Sequence, residues 1–283
     1  MLRLLAVLLA FAALPAAAET IQLGDRAYRI DLPATPQGAP IILALHGGGG
    51  GADQFARSSG LSRPANRQGY AVIYPEGTGL VATWNAGYCC GPAARSGVND
   101  LAFLDAVIAD ATARFGLNDR RLYLTGMSNG AMLAESFAAR YPSRLRAVAG
   151  VAGTMDTATF AVAGPVPLLH IHGTADANVP YAGGIGDRSI SRTDYASVAS
   201  VEAAFLSPFP MLTRTERLID RANDGMRVIE RNYADGQGRV QVRIQTIEGG
   251  GHAWPGSRRA ARQGGTQDIS ATTEVLRFFA LHP

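Results

Sequence analysis

The chain contains no lysine: all 26 of its basic side chains are arginine. That absence removes a Walker-type loop ending in Gly-Lys-Ser/Thr, a Schiff-base lysine and a serine–lysine nucleophile pair from consideration. Cysteine is nearly as scarce. Cys89 and Cys90 are the only two, and they are neighbours. They cannot staple distant parts of a fold, and with no histidine nearby they offer neither the count nor the spacing of zinc ligands. In an oxidising compartment they are expected to form a vicinal disulfide that stiffens the loop after Trp84. An excess of charge is also missing. The formal charge is +3, with 23 acidic residues against the arginines. The arginines are scattered and no patch interleaves them with aromatics, so nothing here marks a nucleic-acid surface. Beyond the first residues no run approaches the roughly 18 to 20 apolar residues of a membrane span.

Residues 1–18, MLRLLAVLLAFAALPAAA, combine one early cation (Arg3), an apolar run from Leu4 to Leu14 and a small-residue site at Ala16-Ala17-Ala18. This pattern is that of a secretory signal peptide. The mature protein is therefore expected in the periplasm or outside the cell. Its composition, 47% hydrophobic and 17% charged, is that of an ordinary globular chain.

From residue 41 onward, strand-length apolar runs alternate with helical patterns. Ile41–Leu45, Ala71–Tyr74, Arg121–Thr125, Arg146–Val151, Val166–His172 and Val240–Ile247 read as strands. Asn99–Phe115, Asn129–Tyr141 and Ala271–Leu281 carry apolar residues at helical spacing. Near-continuous apolar strands between helices imply an α/β fold with a mostly parallel sheet covered on both faces. No linker divides residues 19–283, which read as one domain. An irregular excursion at about 181–238, rich in Gly, Arg and Pro, is expected to form a cap or pocket wall.

Gly126-Met127-Ser128-Asn129-Gly130 spells G-x-S-x-G directly after a strand and before a helix. That context is a nucleophile elbow: the glycines allow a sharp turn that exposes the Ser128 hydroxyl at a helix N-terminus. A neutral serine needs a base, and without lysine one of five histidines must supply it. His46 lies in a glycine loop, His282 is penultimate, and His170 and His172 alternate in a buried strand. His252, in the loop EGGGHAWPG after the last strand, remains. Asp176 follows the strand VPLLHIH, 48 residues after Ser128 and 76 before His252. There it can accept the imidazole N–H and fix its tautomer. A rival reading makes His170, His172 and Asp176 a metal site, since alternate strand residues share a face. The complete Ser128–Asp176–His252 set requires no metal. Acyl transfer also needs donors for an oxyanion. The loop His46-Gly47-Gly48-Gly49-Gly50-Gly51 after a strand supplies one at Gly48, with Gly47 and Gly49 as neighbouring choices, and the Asn129 N–H supplies the other.

Taken in order, HGGGG, YPEGTG, TWNAGYCCGPA, NDLAFL, TGMSNGAM, HGTADANVPY, GGGHAWPG and EVLRFFALHP resemble the polyhydroxybutyrate-depolymerase-like esterases, which are similar to feruloyl esterases of carbohydrate esterase family one. The resemblance runs from about Ile41 to the C-terminus. It implies the α/β-hydrolase fold, the same triad and cofactor-free hydrolysis of a small-molecule or oligosaccharide ester. It also implies a pocket near Trp84. Tyr88 and Trp254 are further aromatic candidates for that pocket, suited to an aryl acid or a sugar ring. The chain departs from the family in two places. It has FLSPFPMLTRTERLIDRAND where members often carry extra cysteines, and Asn99-Asp100 where they carry an aspartate pair. Polyester depolymerase activity, and a non-catalytic binding module on the same fold, are the alternative readings.

Overall fold

The computed structural model describes residues 18–258 and 260–283, so the expected signal peptide lies, except for Ala18, outside the described residues. Ten strands form one sheet: β1 (Glu19–Leu23), β2 (Arg26–Asp31), β3 (Pro40–Leu45), β4 (Ala71–Pro75), β5 (Asn118–Met127), β6 (Ala147–Val151), β7 (Leu168–Gly173), β8 (Thr213–Ile219), β9 (Arg227–Ala234) and β10 (Val240–Glu248). Their order is β1-β2-β4-β3-β5-β6-β7-β10-β9-β8. The six inner strands from β4 to β10 run parallel, and an antiparallel pair closes each edge.

The helices are α1 (Ala52–Ser59), α2 (Ser62–Arg67), α3 (Gly91–Arg95), α4 (Asp100–Phe115), α5 (Asn129–Arg140), α6 (Val198–Leu206) and α7 (Ala271–Ala280). The inner strands are apolar throughout because both faces are covered. Along β3, Ile41, Leu43 and Leu45 join the core beneath α4, α5 and α6, while Ile42 and Ala44 join the core beneath α1, α2 and α7. Alternating Cβ directions in an extended strand produce that division. Helix α5 is buried from Asn129 to Ala139, as its small apolar sequence NGAMLAESFAA permits.

Three parts replace the irregular excursion expected at 181–238. Residues 181–197 are irregular and form pocket wall. Residues 198–206 are α6. Residues 213–234 hold β8 and β9, which extend the sheet and are a correction to the sequence reading. Strand β8, TRTERLI, is exposed at every position except Ile219, so it carries no apolar alternation. A solvent-facing edge strand has no core to impose such a signal.

Candidate active site

Strand β5 delivers Ser128 to the C-terminal edge of the sheet. Ser128 has φ 56° and ψ −125°, in the left-handed range that a non-glycine residue occupies only when its surroundings enforce it. The enforcement is visible. Ser128 N–H donates to Val151 O at 2.8 Å, and Ser128 O accepts from Met132 N–H at 3.0 Å. A Cβ on Gly126 would come within 2.5 Å of the Gly130 carbonyl, and one on Gly130 would sit 2.3 Å from Leu45 O. Both glycines of the motif are thus demanded by contact, as is Gly153, whose Cβ would lie 2.2 Å from Ser128 O.

Asp176 and His252 follow β7 and β10, which are parallel neighbours. Their loops leave the same edge and are stitched together. Thr174 N–H donates to Ile247 O at 2.9 Å and Ala175 N–H to Gly250 O at 2.8 Å. A side chain on Gly173 would collide with Gly250 O at 2.1 Å. This docking sets His252 Nδ1 at 2.7 Å from Asp176 Oδ2. The other carboxylate oxygen accepts the N–H groups of Asn178 (2.8 Å) and Val179 (2.9 Å). Burial by itself would raise the Asp176 carboxyl. The His172 Nε2–H beside Oδ2 and the His252 hydrogen bond to the same oxygen outweigh it and hold Asp176 well below the usual carboxylate range.

Ser128, Asn129, Gly48 and His252 open onto one cavity of about 740 Å³. Ser128 and His252 face it without hydrogen bonding to each other; such contacts commonly tighten only when substrate binds. Two main-chain donors at this edge, Gly48 N–H and Asn129 N–H, have no protein acceptor among the described residues. The Asn129 side chain is spent elsewhere: Oδ1 accepts Trp84 N–H at 2.7 Å and Nδ2 donates to Trp84 O at 3.0 Å. Gly49 is excluded as a donor because its N–H is given to Ala82 O at 2.7 Å. Gly47 does not line the cavity, and its carbonyl accepts from His46 Nδ1–H at 2.8 Å.

His46 is a brace for this loop. Its Nε2 accepts Gly77 N–H at 2.9 Å, and burial, opposed by the Gly47 carbonyl, lowers its pKa to about 4. Trp84 is the second brace. It is fully buried, and its Nε1–H donates to His46 O at 2.8 Å. It stands behind the glycine loop that follows β3 instead of lining the pocket, which corrects the sequence expectation. Trp254 is a second correction. It packs edge-on against Phe55 at 5.3 Å and donates to Thr272 Oγ1 at 2.9 Å, away from the cavity. Tyr88 does line the cavity. Its hydroxyl donates to Thr154 O at 2.7 Å, and its ring meets Tyr195, another lining residue, edge-on at 5.8 Å. Cys89 and Cys90 are paired as a vicinal disulfide, with Cys90 in the wall.

The lining also includes Val81, Arg95, Arg188, Ile190 and Ser191, none of which carries a sequence signal. Of these, Arg188, Ile190 and Ser191 belong to the irregular segment 181–197. The rival metal set resolves into hydrogen bonds. His170 Nε2 and His172 Nδ1 are 3.2 Å apart, His170 Nδ1 meets Glu135 Oε1 at 2.7 Å, and His172 Nε2 meets Val179 O at 2.8 Å. Among the described residues, no group of three or more His, Cys, Asp or Glu is arranged to hold a metal ion.

Residues 27–176 match the family described as Esterase PHB depolymerase. NocK of Nocardia uniformis subsp. tsuyamanensis, a protein named as an esterase, is 31% identical over 275 residues, spanning 90% of this chain and 79% of its own. Feruloyl esterase B of Piromyces equi is 26% identical over 229 residues, which cover 76% of this chain but 40% of that enzyme. Among solved structures, an acetyl xylan esterase from Aspergillus awamori superposes with a TM-score of 0.60 at 14% identity, covering 94% of this chain and 100% of that one. An S-formylglutathione hydrolase from Agrobacterium tumefaciens gives a TM-score of 0.58 at 11% identity, covering 94% of this chain and 95% of that one. The shared architecture is the α/β-hydrolase fold.

Proposed function

The chain belongs to the Esterase PHB depolymerase family and is a serine carboxylic-ester hydrolase, and on that basis we propose that it works through an acyl-enzyme on aryl or saccharide esters of the feruloyl and acetyl type. The observation that carries the mechanism is the 2.7 Å contact of His252 Nδ1 with a buried carboxylate, on the cavity that Ser128 also faces. Asp176 holds Nδ1–H, leaving the Nε2 lone pair to take the Ser128 proton as Oγ attacks the ester carbonyl. The free N–H groups of Gly48 and Asn129 receive the negative charge that develops on the carbonyl oxygen. His252 then returns its proton to the departing alcohol, and water, activated by the same ring, releases the acid.

The preference for a flat acid or sugar ring rests on Tyr88 and Tyr195, with Val81 and Ile190 as apolar neighbours, in place of the two tryptophans. Polyester hydrolysis is the second reading, favoured by the family description. Turnover of methyl ferulate and p-nitrophenyl acetate, compared with clearing of solid polyhydroxybutyrate, separates them. Efficient clearing with negligible aryl-ester turnover would reverse the order. The leader at residues 1–18 supports export, which N-terminal sequencing of the mature protein tests.

A further inference from the structure

Glu135, His170 and His172 are essentially excluded from solvent, and the ester chemistry above uses none of them directly. They form one line that ends on Asp176. Glu135 Oε1 meets His170 Nδ1 at 2.7 Å, His170 Nε2 meets His172 Nδ1 at 3.2 Å, and His172 Nε2 faces Val179 O at 2.8 Å and Asp176 Oδ2 at 3.4 Å.

Burial lowers the pKa of His172, so its ring is neutral, and the protons in this line can then be placed. Val179 O can only accept, so His172 Nε2 carries a hydrogen. His172 Nδ1 is then the acceptor and His170 Nε2 the donor. That leaves His170 Nδ1 against a carboxylate oxygen at 2.7 Å, a contact that needs a third proton. Two neutral imidazoles hold only two. The third proton lies between Glu135 and His170, and the negative charge of Glu135 balances it. The other Glu135 oxygen accepts Met155 N–H at 3.0 Å, which fixes the carboxylate. The set is therefore neutral overall and has a single sense of donation, running from Glu135 toward Asp176.

We infer that His172 is a positioning residue for the ester hydrolysis, held by Glu135 and His170 so that its Nε2–H, directed at Val179 O, also lies beside Asp176 Oδ2 at 3.4 Å as a second imidazole contact next to His252. The inference rests on the triad reading above. Its effect is to hold the carboxylate ionised and aimed at His252 from the side that the Asn178 and Val179 amides do not reach.

Two substitutions separate the donor from the rest of the ring. His172→Asn keeps an acceptor at the Nδ1 position for His170 but removes the Nε2–H. His172→Gln keeps an amide N–H at the Nε2 position. With p-nitrophenyl acetate, the Asn variant should lose roughly ten- to a hundredfold in kcat at unchanged KM, the range that a hydrogen bond to a charged group supports, and the Gln variant should stay within about threefold of wild type. The low-field proton resonance of the His252–Asp176 hydrogen bond should move in the Asn variant and not in the Gln variant. Glu135→Gln, whose amide can donate to a neutral His170, should keep activity, whereas Glu135→Leu should behave like His172→Asn. Should His172→Asn not fold, the Glu135 pair decides the matter alone. Equal activity of the Asn and Gln variants, or of Glu135→Gln and Glu135→Leu, with the low-field resonance unmoved, would overturn the inference. Failure of the triad reading shows separately, as wild-type enzyme in which a fluorophosphonate does not label Ser128.

Discussion

Replacing Asp176 with asparagine tests the electrostatic core of the site with almost no change of shape. In the native carboxylate, Oδ1 accepts the N–H groups of Asn178 and Val179 at 2.8 and 2.9 Å, and Oδ2 accepts His252 Nδ1–H at 2.7 Å. An asparagine has one oxygen. Two backbone donors claim it, so its amide nitrogen turns toward His252. The imidazole must then present Nδ1 as an acceptor and carry its proton on Nε2, where it cannot receive one from Ser128. The same reversal in the best-studied serine triad costs on the order of 10⁴ in kcat. At about 1.36 kcal/mol per decade, that is roughly 5.4 kcal/mol of transition-state stabilisation. The kcat/KM for p-nitrophenyl acetate should therefore fall by about four decades, with circular dichroism and thermal unfolding close to wild type. The variant's loss should lie in kcat, since Asp176 is buried behind the imidazole and does not line the cavity. A folded Asp176→Asn variant that loses less than tenfold would refute the assignment and turn attention to Asp187 or Asp194, the exposed acids of segment 181–197.

Ser128→Ala should lose at least about 10³-fold in kcat, and a fluorophosphonate should add to the peptide carrying Ser128; labelling elsewhere with activity intact would exclude it as nucleophile. Gly130→Ala should destabilise the fold by about 3 kcal/mol or more, because its Cβ meets Leu45 and His46 carbonyl oxygens at 2.3 and 2.4 Å, and a normal melting temperature would contradict the steric account. His46, lowered to about 4 in the fold by burial, takes up a proton on unfolding between that value and the unfolded histidine pKa of about 6.5. The folded protein binds fewer protons across that window, so stability falls as pH drops, by about 2 kcal/mol from this one residue between pH 7 and 4.5. An NMR titration of His46 with a midpoint near 6.5 would show the ring to be unburied. Mass measurement of unreduced protein should show the two-proton deficit of a Cys89–Cys90 disulfide, and alkylation of both thiols without reduction would contradict it.

The parallel sheet was legible because its strands are buried on both faces. Ile41–Leu45 and Ala71–Tyr74 must be apolar throughout, and the structure places β3 and β4 within one residue of those limits. The elbow was legible for a similar reason: Gly126 and Gly130 are dictated by contacts within a few residues of Ser128 or with the adjacent strand. Asp176 and His252 were marked by their order after the strands that carry them. The outer strands were not legible: β8 is the exposed edge and needs no apolar pattern, and β9, paired on both sides, is mostly half-buried and carries Arg and Glu among its few apolar positions. Trp84 and Trp254 show the other boundary. An indole near a motif reads as pocket, yet Trp84 turns inward to hold His46 O and Asn129, and Trp254 turns away to Phe55. Composition records that an aromatic is present, and only packing decides which way it points. Glu135 lies in a helix, His170 and His172 in a strand, and Asp176 in the loop beyond, so their alignment exists only once α5 is packed over β5 and β6 and Glu135 reaches His170. The type of fold followed from local chemistry written along the chain, and so did the candidate set of Ser128, Asp176 and His252. The wall of the pocket and the buried line behind Asp176 join residues from separate elements, and tertiary packing alone brings those elements into contact.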